Sequence, residues 1–194
     1  QGLADGYFVL PYTIQNYLAD QITVPRFSTE LPEFAEAEKA VQARIDHLMG
    51  IKGKKSVDSI HKELGHIMWE YVGMGRTEEG LKTALKLLKD IRKEFETNLF
   101  IPGSTEGVNI ELEKALRLND FITMGELIAY DALNRNESCG GHFREEYQTE
   151  EGEAKRDDEN YFYVSCWEYQ GSDDVAPVLY KEPLVYEAIK VQTR

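Results

Sequence analysis

Between Asn134 and Arg144 the chain reads Asn-Arg-Asn-Glu-Ser-Cys-Gly-Gly-His-Phe-Arg, and further on Arg156-Asp-Asp-Glu-Asn-Tyr161. Arginine, carboxylate, amide and imidazole at this density make directional, charge-assisted hydrogen bonds, and arginine can clamp a carboxylate through two parallel bonds. Gly140 and Gly141 let the backbone take φ > 0 or approach another surface closely. Side chains of these types either line a site or fasten one domain to another. The residues in question are Arg135, Glu137, Ser138, Gly140, Gly141, His142, Arg144, Arg156, Asp157 and Asn160. Buried charges require partners wherever they sit, so we read the stretch as an interdomain docking plug rather than a catalytic centre.

Two other groups invite a metal reading, and neither sustains it. His61, Glu63 and His66 share one helical stretch, but histidines five apart are separated by about 500° of rotation and leave the shared face a metalloprotease pattern needs. Cys139, His142 and Cys166 lack a fourth ligand of matching spacing, and cysteine often serves as a small buried hydrophobe. The expected site assignment therefore names no metal ligand in this chain.

The elements that must position the motif are mostly helical. Gly2 to Asp20 is helix-like and interrupted by Pro11, which removes a backbone donor and is expected to kink or split it. Thr23 to Leu31 is a linker. Pro32 suits a first helical turn, and Phe34, Ala37, Val41, Ile45 and Leu48 follow at spacings of three and four. Ser56 and Thr77 are candidate N-caps for two more helices. Their stripes are Val57, Ile60, Leu64, Ile67, Met68 and Tyr71, then Leu81, Ala84, Leu85, Leu88, Ile91 and Phe95. A longer helix from Asn109 to Leu133 is apolar almost all round beyond Leu118, which predicts burial on several faces. Tyr161 to Tyr169 is strand-like, and Val178 to Tyr180 and Leu184 to Val191 offer one or two short strands. The expected fold is mainly α (α+β): an antiparallel three-helix bundle, then a long helix and a small β-containing tail. The divisions are 1–31 (helix end and linker), 32–134 (helical bundle) and 135–194 (polar motif and tail).

The 194 residues carry a net charge of −13, which argues against a phosphate-backbone reader, since nucleic acid needs clustered Lys and Arg. Hydrophobic content of 42% argues for a folded core. The two cysteines make no disulfide framework. The longest apolar runs, such as Tyr7 to Leu10, are too short to span a membrane. The chain opens at Gln1 directly in helix-like sequence, which reads as a piece of a longer protein.

The paired motif resembles one family. Arg-x-Glu-Ser-Arg-Gly-Ala-His followed by Arg-Asp-Asp-Glu-Asn-Trp marks the carboxy-terminal part of succinate dehydrogenase and fumarate reductase flavoprotein subunits. Here Cys139 stands for the second arginine, Gly141 for alanine and Tyr161 for tryptophan. The thiol at 139 speaks for docking, because a catalytic cation would seldom become a thiol. The resemblance implies a parent subunit that interconverts succinate and fumarate through covalently held FAD. Electrons would pass to an iron–sulfur subunit and on, through a membrane anchor subunit, to a quinone site. It places the parent in the cytoplasm, peripheral on the inner face of the cytoplasmic membrane. The flavin-carrying histidine and the dicarboxylate-gripping groups would precede Gln1. This chain alone is then expected to bind no flavin and to be inactive. It would brace amino-terminal flavin-binding and capping domains, and self-associate through surface left bare near Tyr7, Phe8 and Tyr12. The chain has no Gly-x-Gly-x-x-Gly after a strand, so it offers no dinucleotide cradle. Two rival readings remain: an L-aspartate oxidase-like flavoenzyme, which shares the Arg-Glu-Ser-Arg-Gly pattern, and an independent helical interaction module. Both directions of the succinate–fumarate reaction use one site, so the sequence leaves the direction open.

Overall fold

A computed structural model describes residues 2–171 and 175–192. Gln1, positions 172–174 and positions 193–194 lie outside the described residues, and with them the extreme ends of the expected 1–31 and 135–194 segments and part of the latter's interior. The chain forms two compact units, Gln1–Arg44 and Ile45–Arg194.

In the first unit, α1 (Gly2–Ala4) and α2 (Leu10–Leu18) are joined through one π-helical stretch, Asp5–Val9. The Leu10 amide donates to the Asp5 carbonyl, a π-type bond one residue longer than the α-helical one. Pro11 follows at once, where its missing N–H and its ring would disturb a regular helix. The helix is therefore rephased, not split. Tyr7, Phe8 and Tyr12 are exposed, as expected. The helix α3 (Pro32–Gly50) begins in this unit.

The second unit is built on α4 (Val57–Val72), α5 (Glu78–Asn98) and α6 (Ile110–Asn134). Each has an oxygen cap. The Ser56 hydroxyl accepts from the Ser59 amide at 3.2 Å, that of Thr77 from Gly80 at 3.0 Å, and the Asn109 amide oxygen from Leu112 at 3.1 Å. The two-residue strands β1 (Lys55–Ser56) and β2 (Leu99–Phe100) pair in parallel, which places the start of α4 beside the end of α5. A Lys114–Asp58 ion pair sets the start of α6 beside the start of α4. The helices thus run up, down and up. Gly53 tightens the arrangement: its amide donates to the Leu99 carbonyl at 2.8 Å, and a β-carbon there would sit 2.0 Å from the Asn98 carbonyl. The core is Val57, Ile60 and Leu64 from α4, Leu81, Leu88 and Phe95 from α5, and Ala115, Leu118, Ile122 and Ala129 from α6, among others.

The mainly α architecture with a small β tail is as expected, but the members of the bundle differ. The expected first helix, at 32–49, contributes only Ile45, Leu48 and Met49 to the core, while Phe34, Ala37 and Val41 are exposed. The long helix takes its place. Small residues at Ala115, Gly125, Ala129 and Ala132 let α6 approach its neighbours closely; a β-carbon on Gly125 would meet Met68 Sδ at 3.1 Å. That geometry buries one broad face of α6. Phe121, Met124 and Ile128 lie on the outside, so burial on several faces is corrected to burial on one.

The tail contains α7 (Asp158–Tyr161) and an antiparallel pair, β3 (Tyr163–Glu168) and β4 (Val178–Pro183), registered Tyr163↔Pro183 through Glu168↔Val178. The expected strand at 184–191 does not form; one bond from the Leu184 amide to the Phe162 carbonyl prolongs the hairpin, and the ladder stops there. The hairpin seats on α6 through Trp167, whose indole N–H donates to Asp131 at 2.8 Å while its ring meets Tyr130 edge-on. Two strands alone are marginal in water, so this seat holds them.

Candidate functional site

The polar motif starts where α6 ends. Beyond Asn134 the last helical carbonyls have no intrahelical donor. Arg144 returns to supply one: its Nη1 donates to the carbonyls of Ala132 and Leu133 at 3.1 and 3.4 Å. The whole residue is 0% exposed. Its Nε donates to Glu146 Oε2 at 3.1 Å, its guanidinium lies over the Tyr147 ring, and its Nη2 is buried without a partner among the described residues. Ser138, equally buried, fixes the backbone of that arginine twice, accepting from its amide at 2.8 Å and donating to its carbonyl at 3.1 Å.

Glu146 ties this arginine to the far helix. Its Oε1 accepts from the Glu78 amide at 2.5 Å, in the first turn of α5, where a carboxylate also complements the helix dipole. Burial pushes the Glu146 carboxyl up, but amide donors and the Arg144 guanidinium outweigh it and hold the group below the usual carboxylate range.

Glu137, 3% exposed, accepts from Arg135 Nη1 at 3.3 Å and from the Asp157 amide at 2.9 Å. Arg135 also donates to the carbonyls of Tyr161 and Tyr163 at 3.0 and 2.9 Å and faces both their rings. These bonds fasten the tail to the end of α6. Arg156 pairs with Asp158, and Asp157 caps α7 by accepting from the Asn160 amide and side chain.

Cys139 to His142 is a two-residue hairpin closed by bonds of 2.8 and 3.0 Å between the end residues. Gly140 has φ +58° and Gly141 does not have positive φ, the pattern of a type II′ turn. Both glycines and Cys139 are exposed. His142 anchors the hairpin between elements. Its Nδ1 faces Arg76 Nη1 at 2.9 Å and its Nε2 faces the Arg135 carbonyl at 2.9 Å. Arg76 sits between α4 and α5, where its Nε donates to the carbonyls of Val72 and Gly73. Its backbone bridges Phe143 and Glu145. Burial lowers the His142 pKa below the usual histidine value, helped by the charges of Arg76, Arg144 and Arg135 and opposed by the bond to the Arg135 carbonyl. Burial likewise lowers that of Arg76, against the attraction of Asp131.

Arg135, Glu137 and His142 are thus bonded together with Arg76 and the Asp157 amide, Ser138 and Arg144 with Glu146, and the two groups join through the backbone bonds of Arg76 to Phe143 and Glu145 into one network. Arg156 and Asn160 serve local contacts in the tail, and Gly140 and Gly141 stand at the exposed tip. Sequence reasoning missed Arg76, Asp131 and Glu146. Arg76 follows Gly73 and Gly75 in a helix–helix turn, and a long cation there is a signal for capping the preceding helix. Among the metal candidates, His61 stacks on Phe121 and His66 is exposed. No group of three or more His, Cys, Asp or Glu able to hold a metal occurs among the described residues. The carboxylates and guanidinium groups of the network bind backbone and one another, which joins three helix ends and a tail.

Residues 61–194 match the family model described as the fumarate reductase flavoprotein C-terminal domain. A fumarate reductase flavoprotein subunit of Proteus vulgaris is 29% identical over 74% of this chain and 24% of its own length. A chloroplastic L-aspartate oxidase of Nicotiana tabacum is 37% identical over 45% of this chain and 13% of its own. A solved E. coli quinol fumarate reductase superposes with a TM-score of 0.67 at 23% identity, covering 88% of this chain and 28% of that one. The chain therefore spans less than a third of the length of each of these proteins. A match that covers most of the bundle and all of the polar network, from within α4 onward, shows that the chain belongs to the family of fumarate reductase flavoprotein C-terminal domains.

Proposed function

We propose that this chain is the carboxy-terminal helical part of a flavoprotein oxidoreductase that interconverts succinate and fumarate, and that its own task is to brace the catalytic domains. The single observation that carries the reading is the family match over 61–194, which includes the whole polar network. In this reading the parent uses FAD and delivers electrons to an iron–sulfur subunit, which a membrane anchor holds at the inner face of the cytoplasmic membrane. No helix among the described residues is long and apolar enough to cross a membrane, so contact with one would run through such partners.

In this reading the flavin dinucleotide is held outside this chain. Of two surface depressions, one is lined by Glu78, Glu79 and Glu146 together with Lys82 and Lys86 and the other by Glu70, Glu79 and Glu145, so carboxylates outnumber cations in both and would oppose a pyrophosphate. Amino-acid side chains supply no two-electron sink for oxidising a dicarboxylate, so the chemistry belongs to a cofactor held elsewhere. Within the docking reading, the exposed Gly140–Gly141 tip and the neighbouring Arg156, Asp157 and Asn160 are the surface toward the flavin domain.

The test compares the chain with the longer protein that contains it. The purified chain should show no flavin absorbance and no succinate–acceptor reductase activity; bound flavin with turnover in the chain alone would overturn the bracing role. The second reading, an L-aspartate oxidase-like enzyme, draws on the 37% identity with the tobacco protein. Supplying the longer protein with succinate or L-aspartate as electron donor separates them, and turnover of aspartate alone would refute the first.

A further inference from the structure

His142 is held in a way that permits one protonation state. The Arg135 carbonyl can only accept, so Nε2 must carry the hydrogen in that 2.9 Å contact. A guanidinium can only donate, so Nδ1, 2.9 Å from Arg76 Nη1, must present its lone pair. Both ring nitrogens are thereby assigned, and the ring is the neutral Nε2–H tautomer. A proton added at Nδ1 would point at an N–H donor that bears a positive charge of its own.

The charges around the ring make that proton still less welcome. Arg76 faces it from the turn between α4 and α5, Arg135 from the end of α6, and Arg144 from the motif itself. Nearby carboxylates hold other partners: Glu137 holds Arg135 and the Asp157 amide, Glu146 holds Arg144 and the Glu78 amide, and Asp131 takes the Trp167 indole. The ring is half-buried, so water screens these cations incompletely. The bond at stake joins otherwise separate parts. Through Arg76 it reaches the last carbonyls of α4, and through its own backbone it closes the Cys139–His142 hairpin.

We propose that His142 is a proton-operated latch: neutral, it locks the Cys139–His142 hairpin onto Arg76 and the end of α6, and protonation at Nδ1 expels the Arg76 guanidinium and frees the hairpin. The latch is internal to this chain and does not depend on the docking reading. The direction follows from the lowered pKa of the group. A depressed folded value means the latch is fully closed above the ordinary histidine value of about 6.5 and is lost as pH falls from there through the folded value. Acidification opens it; alkaline conditions leave it shut.

The test reads the hairpin and the ring in the same sample. Imidazole proton resonances of the chain are followed between pH 7.5 and 4.5, with the His142 signal assigned from its absence in His142→Gln. Amide exchange at Cys139 and His142, corrected for intrinsic rates, is measured across the same range. The expected result is a His142 midpoint below about 6.5 and a progressive loss of hairpin protection as pH falls from about 6.5 through that midpoint. His142→Gln retains an acceptor and a donor without titrating there, and its hairpin should stay protected at pH 5. Arg76→Met removes the facing charge and should move the His142 midpoint upward. Equal protection of the parent hairpin at pH 7.5 and 5 would overturn the latch. So would acid opening in His142→Gln at the parent's midpoint, or a His142 midpoint indifferent to Arg76→Met.

Discussion

At the scale of single residues, the motif's two glycines are chemically alike and structurally unequal. Gly140 takes φ +58°, whereas Gly141 keeps ordinary backbone, and a β-carbon at either position would meet nothing within 4 Å. Space is thus equal at both, and only conformation separates them. Gly140→Ala should lower stability by about 1–2 kcal/mol, the cost of a left-handed L-residue, while Gly141→Ala should be neutral. Thermal midpoints of the two variants decide the matter; equal losses would mean the turn is not type II′. The alanine at the matching place of the related pattern agrees with a permissive Gly141. The sequence made this stretch conspicuous through its arginines and carboxylates, but not where each one goes. Arg144 reaches back to Ala132 and Leu133 because α6 ends and the chain reverses, and Glu146 finds the start of a helix nearly seventy residues earlier in sequence. Partners that lie across a reversal leave no periodic trace, so Arg76 and Glu146 escaped notice.

At the scale of elements, helices were legible wherever an oxygen cap preceded an apolar stripe. Ser56 and Thr77 cap as their positions imply, and Leu64, Leu88 and Phe95 face the core. What periodicity could not say is which stripes meet. The residues Phe34, Ala37 and Val41 repeat at helical spacing as faithfully as the stripe of α4, yet they lie exposed. Helix α6 joins instead, because its alanines and Gly125 allow close approach, a property of size rather than of hydrophobic period. The short strands at 55–56 and 99–100 were not legible either, since two residues carry no alternation. Paired substitutions test the revised bundle. Leu64→Ala, at a position 4% exposed, should cost about 2–5 kcal/mol. Phe34→Ala should change stability by no more than about 0.5 kcal/mol, as at other exposed sites. Denaturant midpoints of the two variants give the comparison. A large loss from Phe34→Ala would restore the first half of α3 to the core.

At the scale of the whole molecule, two opposed surface properties govern behaviour in solution. The first unit carries a helical surface rich in apolar side chains: Leu3, Tyr7, Phe8, Tyr12, Ile14 and Tyr17 are all exposed. Exposed apolar side chains gathered on one short helical segment favour association. Against it stands a net charge of −13, which makes any two copies repel. Attraction acts at contact and is little affected by simple salt, whereas repulsion reaches only about 10 Å at 0.1 M ionic strength and about 3 Å at 1 M. Association of the chain should therefore increase with protein concentration and, at fixed concentration, increase again as salt is raised. A Tyr7→Ser, Phe8→Ser double variant should remain monomeric in both salt regimes, with the melting of the second unit unchanged because neither side chain belongs to its core. Sedimentation velocity at low and high salt reads the outcome. A parent chain that stays strictly monomeric at high salt would sink the prediction. Association that the double variant retains in full would move the contact away from this helix, toward the outer stripe of α6 at Phe121, Met124 and Ile128.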